Sequence, residues 1–269
     1  MSQCFGSKTW PEAKELVEKN AIAIVPVGAF EQHGRHLPLD TDVRLAEAVA
    51  KHAAERAEKN GIPVTVTPVV WAAFSPHHMG FPGTITLSMD GFITVLRDIC
   101  RCLAKHGFKK IFLLNGHGGN ANIIRSVIQS LFLEEGIRVV AASYWDFAVG
   151  FIKEWRTSQP GGIDHACEME TALMLHLFPD LVKKEEIKDT RWFPQTKYLT
   201  GDLTIGGVVA TAFSLTEITP TGVAGSPEAA TAAKGQELFE EIVEQFSKFL
   251  AEFNTWDWQQ IAAGSLFDK

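Results

Sequence analysis

Apolar residues fall along this chain in short unbroken runs separated by longer stretches of helical spacing. Ala21–Val27 (AIAIVPV) is apolar at every position, as a strand covered on both faces requires. A short helix opened by Pro11 precedes it and ends near Asn20. Asp42–Lys59 repeats apolar side chains at Leu45, Val49 and Ala53 and stops at Asn60-Gly61. Pro63–Val70 reads as a strand, and Met89–Lys105 as a second long helix closed by His106-Gly107. Lys110–Leu114 is a strand, Ala121–Glu134 a helix, Val139–Ser143 another strand. Pro227–Phe253 is a closing helix with Ser226 as N-cap and Pro227 at its first position. The alternation predicts an α/β fold, a parallel sheet with helices on both faces.

Two long loops interrupt the alternation, Trp71–Thr84 and a Thr-, Gly- and Pro-rich stretch from about Thr190 to Val223. Loops this long inside a compact domain usually carry function. No repeat, low-complexity segment or linker divides the chain, so residues 1–269 are expected to form a single domain.

With 46% hydrophobic residues, the 269-residue chain has ample apolar surface for a large core. A net charge of −7 without any Lys/Arg block argues against a nucleic-acid partner. Cys4, Cys100, Cys102 and Cys167 show no zinc-finger pairing, and Cys100-Arg-Cys102 is too tight for an ordinary helix-borne bridge, so reduced thiols in a cytoplasmic protein are expected. The first twenty residues lack the apolar core of a signal peptide, and no run approaches the ~18 apolar residues that span a membrane.

The chemistry is concentrated just after two of the strands. Ala21–Val27 leads into Glu31-Gln-His33-Gly-Arg-His36-Leu-Pro-Leu-Asp40-Thr-Asp42, and Lys110–Leu114 leads into Asn115-Gly-His117-Gly-Gly-Asn120. Open α/β sheets bind their ligands at the ends of their strands. Glu31 and His33, one residue apart in an extended segment, point the same way. Together with Asp42 and His117 they offer carboxylate and imidazole donors suited to zinc or manganese, with iron(II) within the range of the same set. For Asp42 the competing explanation is helix capping. His117 sits between glycines, whose backbone freedom allows an imidazole to be aimed.

A third cluster, Asp164-His165-Ala-Cys167-Glu168-Met-Glu170-Thr171, precedes the apolar ALMLHLF. Asp164 as a cap and Glu168 at the positive end of a helix dipole need no further explanation. Glu170 lies beside a core-facing stripe, where a carboxylate needs a partner such as a metal. His165 is a candidate acid/base, since imidazole titrates near neutrality. His36 suits support of the ligands, and Asn115 and Asn120 suit fixing the loop, Asn120 also as an N-cap. His52, His106 and His176 fit structural positions, and Trp256 and Trp258 fit either the core or an interface.

These segments together, with HHMGFPGTITLSMDG and ASYWDF, resemble the creatininase (creatinine amidohydrolase) family over nearly the whole chain. The resemblance implies a three-layer α/β/α sandwich with a mostly parallel central sheet, two divalent metal ions per chain (zinc or manganese), and a homo-oligomer, by family habit a hexamer. It implies Glu31, Asp42 and His117 as ligands of one metal, with Asp42 bridging to a second that His33 also binds. His165 matches the family's catalytic histidine and Trp145 a mobile tryptophan over the substrate; His78 falls where a histidine recurs near the pocket, in contact with substrate or merely exposed on its loop.

The chain departs from creatininase proper at Gly118-Gly119, where a Tyr-Glu pair supplies a ligand of the second metal, and at Gly161-Gly162, where a tryptophan precedes the catalytic histidine. Glu170 is the expected replacement ligand, with Glu170 or Glu168 available as a proton shuttle. A wider pocket follows, for a small amide, cyclic or open, other than creatinine. The expected function is therefore metal-dependent hydrolysis of a C–N bond of a small molecule by an activated water. Deformylation or small-peptide cleavage within the same family is an alternative, although only Arg35 and Arg44 lie near the metal motifs to meet a phosphate. A catalytically inactive metal-binding oligomeric scaffold is a third, kept alive by Gly119.

Overall fold

The computed structural model of the chain describes residues 4–194 and 196–264. Its strands β1 (Ile22–Val27), β2 (Val64–Val66), β3 (Lys110–Asn115) and β4 (Val139–Ser143) form a sheet in the order β2-β1-β3-β4. Every pairing is parallel, with Val27 beside Asn115 and Asn115 beside Ser143 at the carboxyl ends. The expected strand at Pro63–Val70 is much shorter. Pro68 has no N–H to give a ladder, and beyond it the chain meets β1 only through Val70 and Val27.

Nine α-helices are present among the described residues: α1 (Trp10–Glu18), α2 (Thr41–Lys59), α3 (Met89–Lys105), α4 (Ala121–Glu135), α5 (Val149–Trp155), α6 (Glu168–Leu177), α7 (Leu215–Ile218), α8 (Ala232–Thr255) and α9 (Trp258–Ala263). The strands are buried on both faces, and alternate residues serve two separate cores. Ile22, Ile24, Phe112 and Leu114 pack with α2, α6 and α8. Ala23, Val25, Ile111 and Leu113 pack with α3 and α4. The unbroken apolar runs are thus explained by helices on either side of a parallel sheet.

One expected boundary moves and one helix appears that was not expected. The closing helix starts at Ala232, where Thr231 caps it by accepting a hydrogen bond from the Lys234 N–H. Pro227–Ala229 forms a separate 3-10 turn, and the Ser226 side chain makes no capping bond. Pro227 lacks an N–H and Ala230 is extended, so the regular helix waits for the next good cap. The second difference is α5, a short helix whose apolar residues gave too few turns for a periodic signal. Trp256 and Trp258 pack edge-on against each other and on Phe253, closing the α8 side of the core. None of the described helices is long and apolar enough to cross a membrane.

Candidate metal centre

β1 and β3 lie side by side although β2 intervenes in sequence, so the strand order reverses between them. A crevice opens at such a reversal, outside the carboxyl ends of the strands. Both ligand-bearing loops leave from there: the Glu31–Asp42 segment follows β1, and His117 follows β3.

The loop glycines serve space rather than unusual backbone angles. Gly116, Gly118 and Gly119 all have ordinary φ. A Cβ on Gly116 would come within 2.9 Å of the Asp42 carbonyl, and one on Gly119 within 2.5 Å of His117 Nε2. Their absence lets β3's loop close against the start of α2 and leaves room for the His117 imidazole beside Gly119. A side chain at position 119 would require the His117 imidazole to shift.

Glu31, His33, Asp42 and His117 converge, and α6 delivers Glu170 to the same place. Glu31, Asp42 and His117 bring one donor atom each within 4.8 Å of one another, as do His33, Asp42 and Glu170. His33 Nε2 lies 3.0 Å from Asp42 Oδ1 and 3.9 Å from Glu170 Oε1. His117 Nδ1 lies 3.2 Å from Glu31 Oε1 and 3.3 Å from Asp42 Oδ2. Asp42 is no helix cap: Asp40 holds that position, and Asp42 points inward from the first turn of α2.

The donor set fits divalent cations. Both Glu31 carboxylate oxygens and Asp42 Oδ2 are buried without a hydrogen-bond donor, an arrangement too costly to persist without cationic partners. The protein supplies that charge from imidazoles. Burial opposes protonation of His33, but Asp42, Glu170 and Glu31 outweigh it and hold His33 up at about 10. Burial likewise opposes charge on His117, and Glu31 and Asp42 hold it well above its ordinary value. Asp42 stays far below the usual carboxylate range despite its burial, through His33 and His117. Burial raises Glu170 to about 7, with His33 partly offsetting the rise. A divalent cation bound here would take the place of those imidazole protons.

The ligands are themselves held. His33 donates from Nδ1 to the Glu31 carbonyl at 3.1 Å, which leaves Nε2 facing Asp42 and Glu170. Asn115 accepts from the His117 N–H at 3.1 Å and donates to the His117 carbonyl at 2.7 Å. Asn120 donates to the Gly28 carbonyl, and although it stands at the N-cap of α4 its side chain makes no capping bond. His36 bonds Thr171 through Nε2 at 2.8 Å, tying the β1 loop to the residue after Glu170.

His165 stands at the entrance, its Nε2 donating to the Gln32 carbonyl at 2.7 Å and its Nδ1 3.6 Å from Glu31 Oε1. Burial, with the charge on His33, pushes it down to about 3, so the imidazole is neutral. His78 is buried, with Nε2 3.2 Å from Glu31 Oε1. It is an integral part of the centre rather than an exposed loop residue.

Gln32 was not singled out by the sequence. It donates to His78 Nδ1 at 3.0 Å and to the Gly222 carbonyl at 3.0 Å, while its own carbonyl holds His165. An extended segment would aim it away from Glu31 and His33; only the fold brings the Trp71–Thr84 loop and Gly222 to meet it. Two further expectations fail. Glu168 is bound by Lys234 and by the N–H groups of Thr157 and Ser158, so it cannot shuttle protons. Asp164 does not cap α6, whose N-cap is Cys167.

A cavity of about 320 Å³ opens onto His117, His165, Glu170 and Trp145. Gly161-Gly162 leaves no aromatic at the creatininase position, yet the pocket is not bare: Trp192 and Phe213 line it, their rings edge to face at 5.1 Å. A Cβ on Gly161 would come within 3.1 Å of Phe193 Cβ, so the segment around Trp192 and Phe193 occupies the space beside it. Trp192 and Phe213 of the Thr190–Val223 loop thus supply aromatic surface to the cavity.

A family model for creatinine amidohydrolase matches residues 7–250. The mycofactocin precursor peptide peptidase of Mycolicibacterium smegmatis is 33% identical over 86% of this chain and 85% of its own length. Creatinine amidohydrolase of Pseudomonas putida is 34% identical over 68% of this chain and 75% of its own. A creatininase structure of Zn-Zn type superposes with a TM-score of 0.78 at 29% identity, covering 94% of this chain and 98% of that one. A manganese creatininase gives 0.77 at 29% identity, over 94% and 99%. With a family model matched across most of its length and its ligand-bearing loops at the sheet's switch point, the chain belongs to the creatininase family.

Proposed function

We propose that this chain hydrolyses a C–N amide bond of a small molecule, using two divalent cations held by the centre at the switch point. The observation that carries this is the sharing of Asp42 between two donor triads, one completed by Glu31 and His117 and the other by His33 and Glu170. Zinc or manganese fits the mixed nitrogen and oxygen donors, and both metals occur in creatininase structures.

Such cations, when bound, lower the pKa of water toward neutrality and polarise an amide carbonyl. The chain's own groups do the rest. His165, neutral and fixed through Nε2, accepts the attacking water's proton at Nδ1 and returns it to the leaving nitrogen. Gln32 holds both His165 and His78 in place. Trp145, Trp192 and Phe213 form the apolar wall against which the substrate packs and which keeps bulk water out.

Small-peptide cleavage is supported by the peptidase relatives. Deformylation of a phosphorylated formamide is disfavoured, since the cavity is lined by neither lysine nor arginine. On this proposal residues 1–269 work as one domain, cytoplasmic and assembled as a homo-hexamer. All four cysteines are free, as a reducing compartment would keep them.

Metal content per chain of protein purified without chelator, followed by an amide screen, is the test. Two ions and turnover abolished by chelation are expected. One ion would remove Glu170 from the ligand set, and no ion after incubation with zinc or manganese would overturn the hydrolase in favour of a scaffold.

A further inference from the structure

A buried phenol stands behind the second donor triad, and neither the ligand set nor the proton transfer described above makes use of it. β4 ends at Ser143, paired with Asn115, so the next residue, Tyr144, is set at the level of the His117 loop. Ser143 and Asp146 cap the 3-10 turn Tyr144–Ala148. Within that turn Trp145 lines the cavity, while Tyr144, edge to face with it at 4.9 Å, packs into the core shared by α2, α6 and α8. The Tyr144 side chain is fully buried, and among the described residues its hydroxyl makes no hydrogen bond.

A buried hydroxyl without a partner costs stability, and folded proteins seldom keep one that is never put to use. Burial first, and then the charges of Glu170, Asp42 and Cys167, hold the phenol well above its ordinary value, so it keeps its proton and remains a donor. Those three residues stand at the starts of α6 and α2. Of the two carboxylates, Asp42 turns both oxygens to imidazoles, Oδ1 to His33 at 3.0 Å and Oδ2 to His117 at 3.3 Å. Glu170 is held more loosely. Its Oε2 accepts one long bond from the Cys167 N–H, at 3.3 Å, and its Oε1 stands 3.9 Å from His33. Carboxylates that bind metal are themselves hydrogen-bonded, and Glu170 has capacity for a further donor.

We propose that Tyr144 is a positioning residue of the second triad, its hydroxyl donating to the Glu170 carboxylate when that site is loaded. This rests on the two-ion reading above. It adds that the chain keeps a donor in reserve for the one ligand that reaches the centre from α6.

Manganese(II) titrated calorimetrically into metal-free wild type and Tyr144→Phe tests it. Two binding steps are expected in both proteins, one of them weakened ~10–100-fold in the variant and the other unchanged. Metal-free Tyr144→Phe should melt at or above the wild-type temperature, because removing a hydroxyl without a partner leaves no group unsatisfied. A residue that merely packs gives the opposite pair, a lower melting temperature with unchanged metal affinity, and that result overturns the proposal. Equal weakening of both steps places the hydroxyl on Asp42, which the two triads share, and overturns the assignment to Glu170. A wild type that takes a single ion, or none, overturns the two-ion reading and this proposal together. Two ions bound with the same affinities by wild type and variant overturn this proposal alone.

Discussion

On the proposed assignment Glu170 takes the place of the ligand absent at Gly119. A Cβ at position 119 would come within 2.5 Å of His117 Nε2, while Glu170, in the first turn of α6, lies with His33 and Asp42 in the second donor triad. Glu170→Ala should lower the metal content from two ions to one while Glu31, Asp42 and His117 keep the other. Gly119→Ala should tilt the His117 imidazole and cost ~10–100-fold in metal affinity, as loss of a ligand's support commonly does, read by competition with a chelating dye. His165→Ala should keep both ions and lose ~10²–10⁴-fold in turnover, because it removes proton transfer and no ligand. If the ions left with His165, its place would be among the ligands.

At the scale of elements, the centre depends on how α6 is held. Glu168 is buried in the first turn of α6 and is clasped by Lys234 from α8 and by the Thr157 and Ser158 N–H groups. Lys234→Met leaves that carboxylate buried with only the two N–H groups and the Thr157 hydroxyl as donors. The expected cost is about 2–3 kcal/mol in urea unfolding, below the full penalty of a broken buried pair because those donors remain. Thr231→Ala removes the α8 cap and should cost about 1 kcal/mol with activity preserved. Equal losses of stability in the two variants would mean that Glu168 is no more than a surface partner.

For the whole molecule, metal and proton compete for one buried charge balance. Without metal, His33 sits at about 10 and Glu170 at about 7, both raised, so each holds a proton that an incoming ion must expel. The sign follows: affinity for the second ion falls as the solution is made more acidic. Between about pH 7 and 10 one proton leaves per ion and affinity changes ~tenfold per pH unit; below about pH 7 two leave and the slope doubles. Calorimetry in buffers of different ionisation enthalpy counts those protons. The rise in melting temperature on adding metal should shrink in the same direction, since ligand stabilisation follows affinity. A pH-independent affinity would show that His33 and Glu170 are not both ligands.

Much of this protein is written in local order along the chain. Apolar runs such as Ile22–Val27 and Lys110–Asn115 specify strands buried on both faces, because only helices on either side can cover side chains of both parities. The residue types after them, Glu31, His33, Asp42 and His117, already name a divalent-metal chemistry, since their donor atoms do not depend on the fold. What adjacency in sequence could not carry was decided in three dimensions. Strand order placed β1 beside β3 and so joined two loops far apart in the chain. Packing of α6 supplied Glu170 and committed Glu168 to Lys234, two glutamates two residues apart with opposite fates. Pro68 cut β2 short, Thr231 rather than Ser226 began the last helix, and the returning Thr190–Val223 loop brought Trp192 and Phe213 to the cavity. Local sequence sets which groups are available and what backbone they favour; which of them meet, and which buried hydroxyl such as that of Tyr144 is left without a partner, depends on long-range packing that no local pattern encodes.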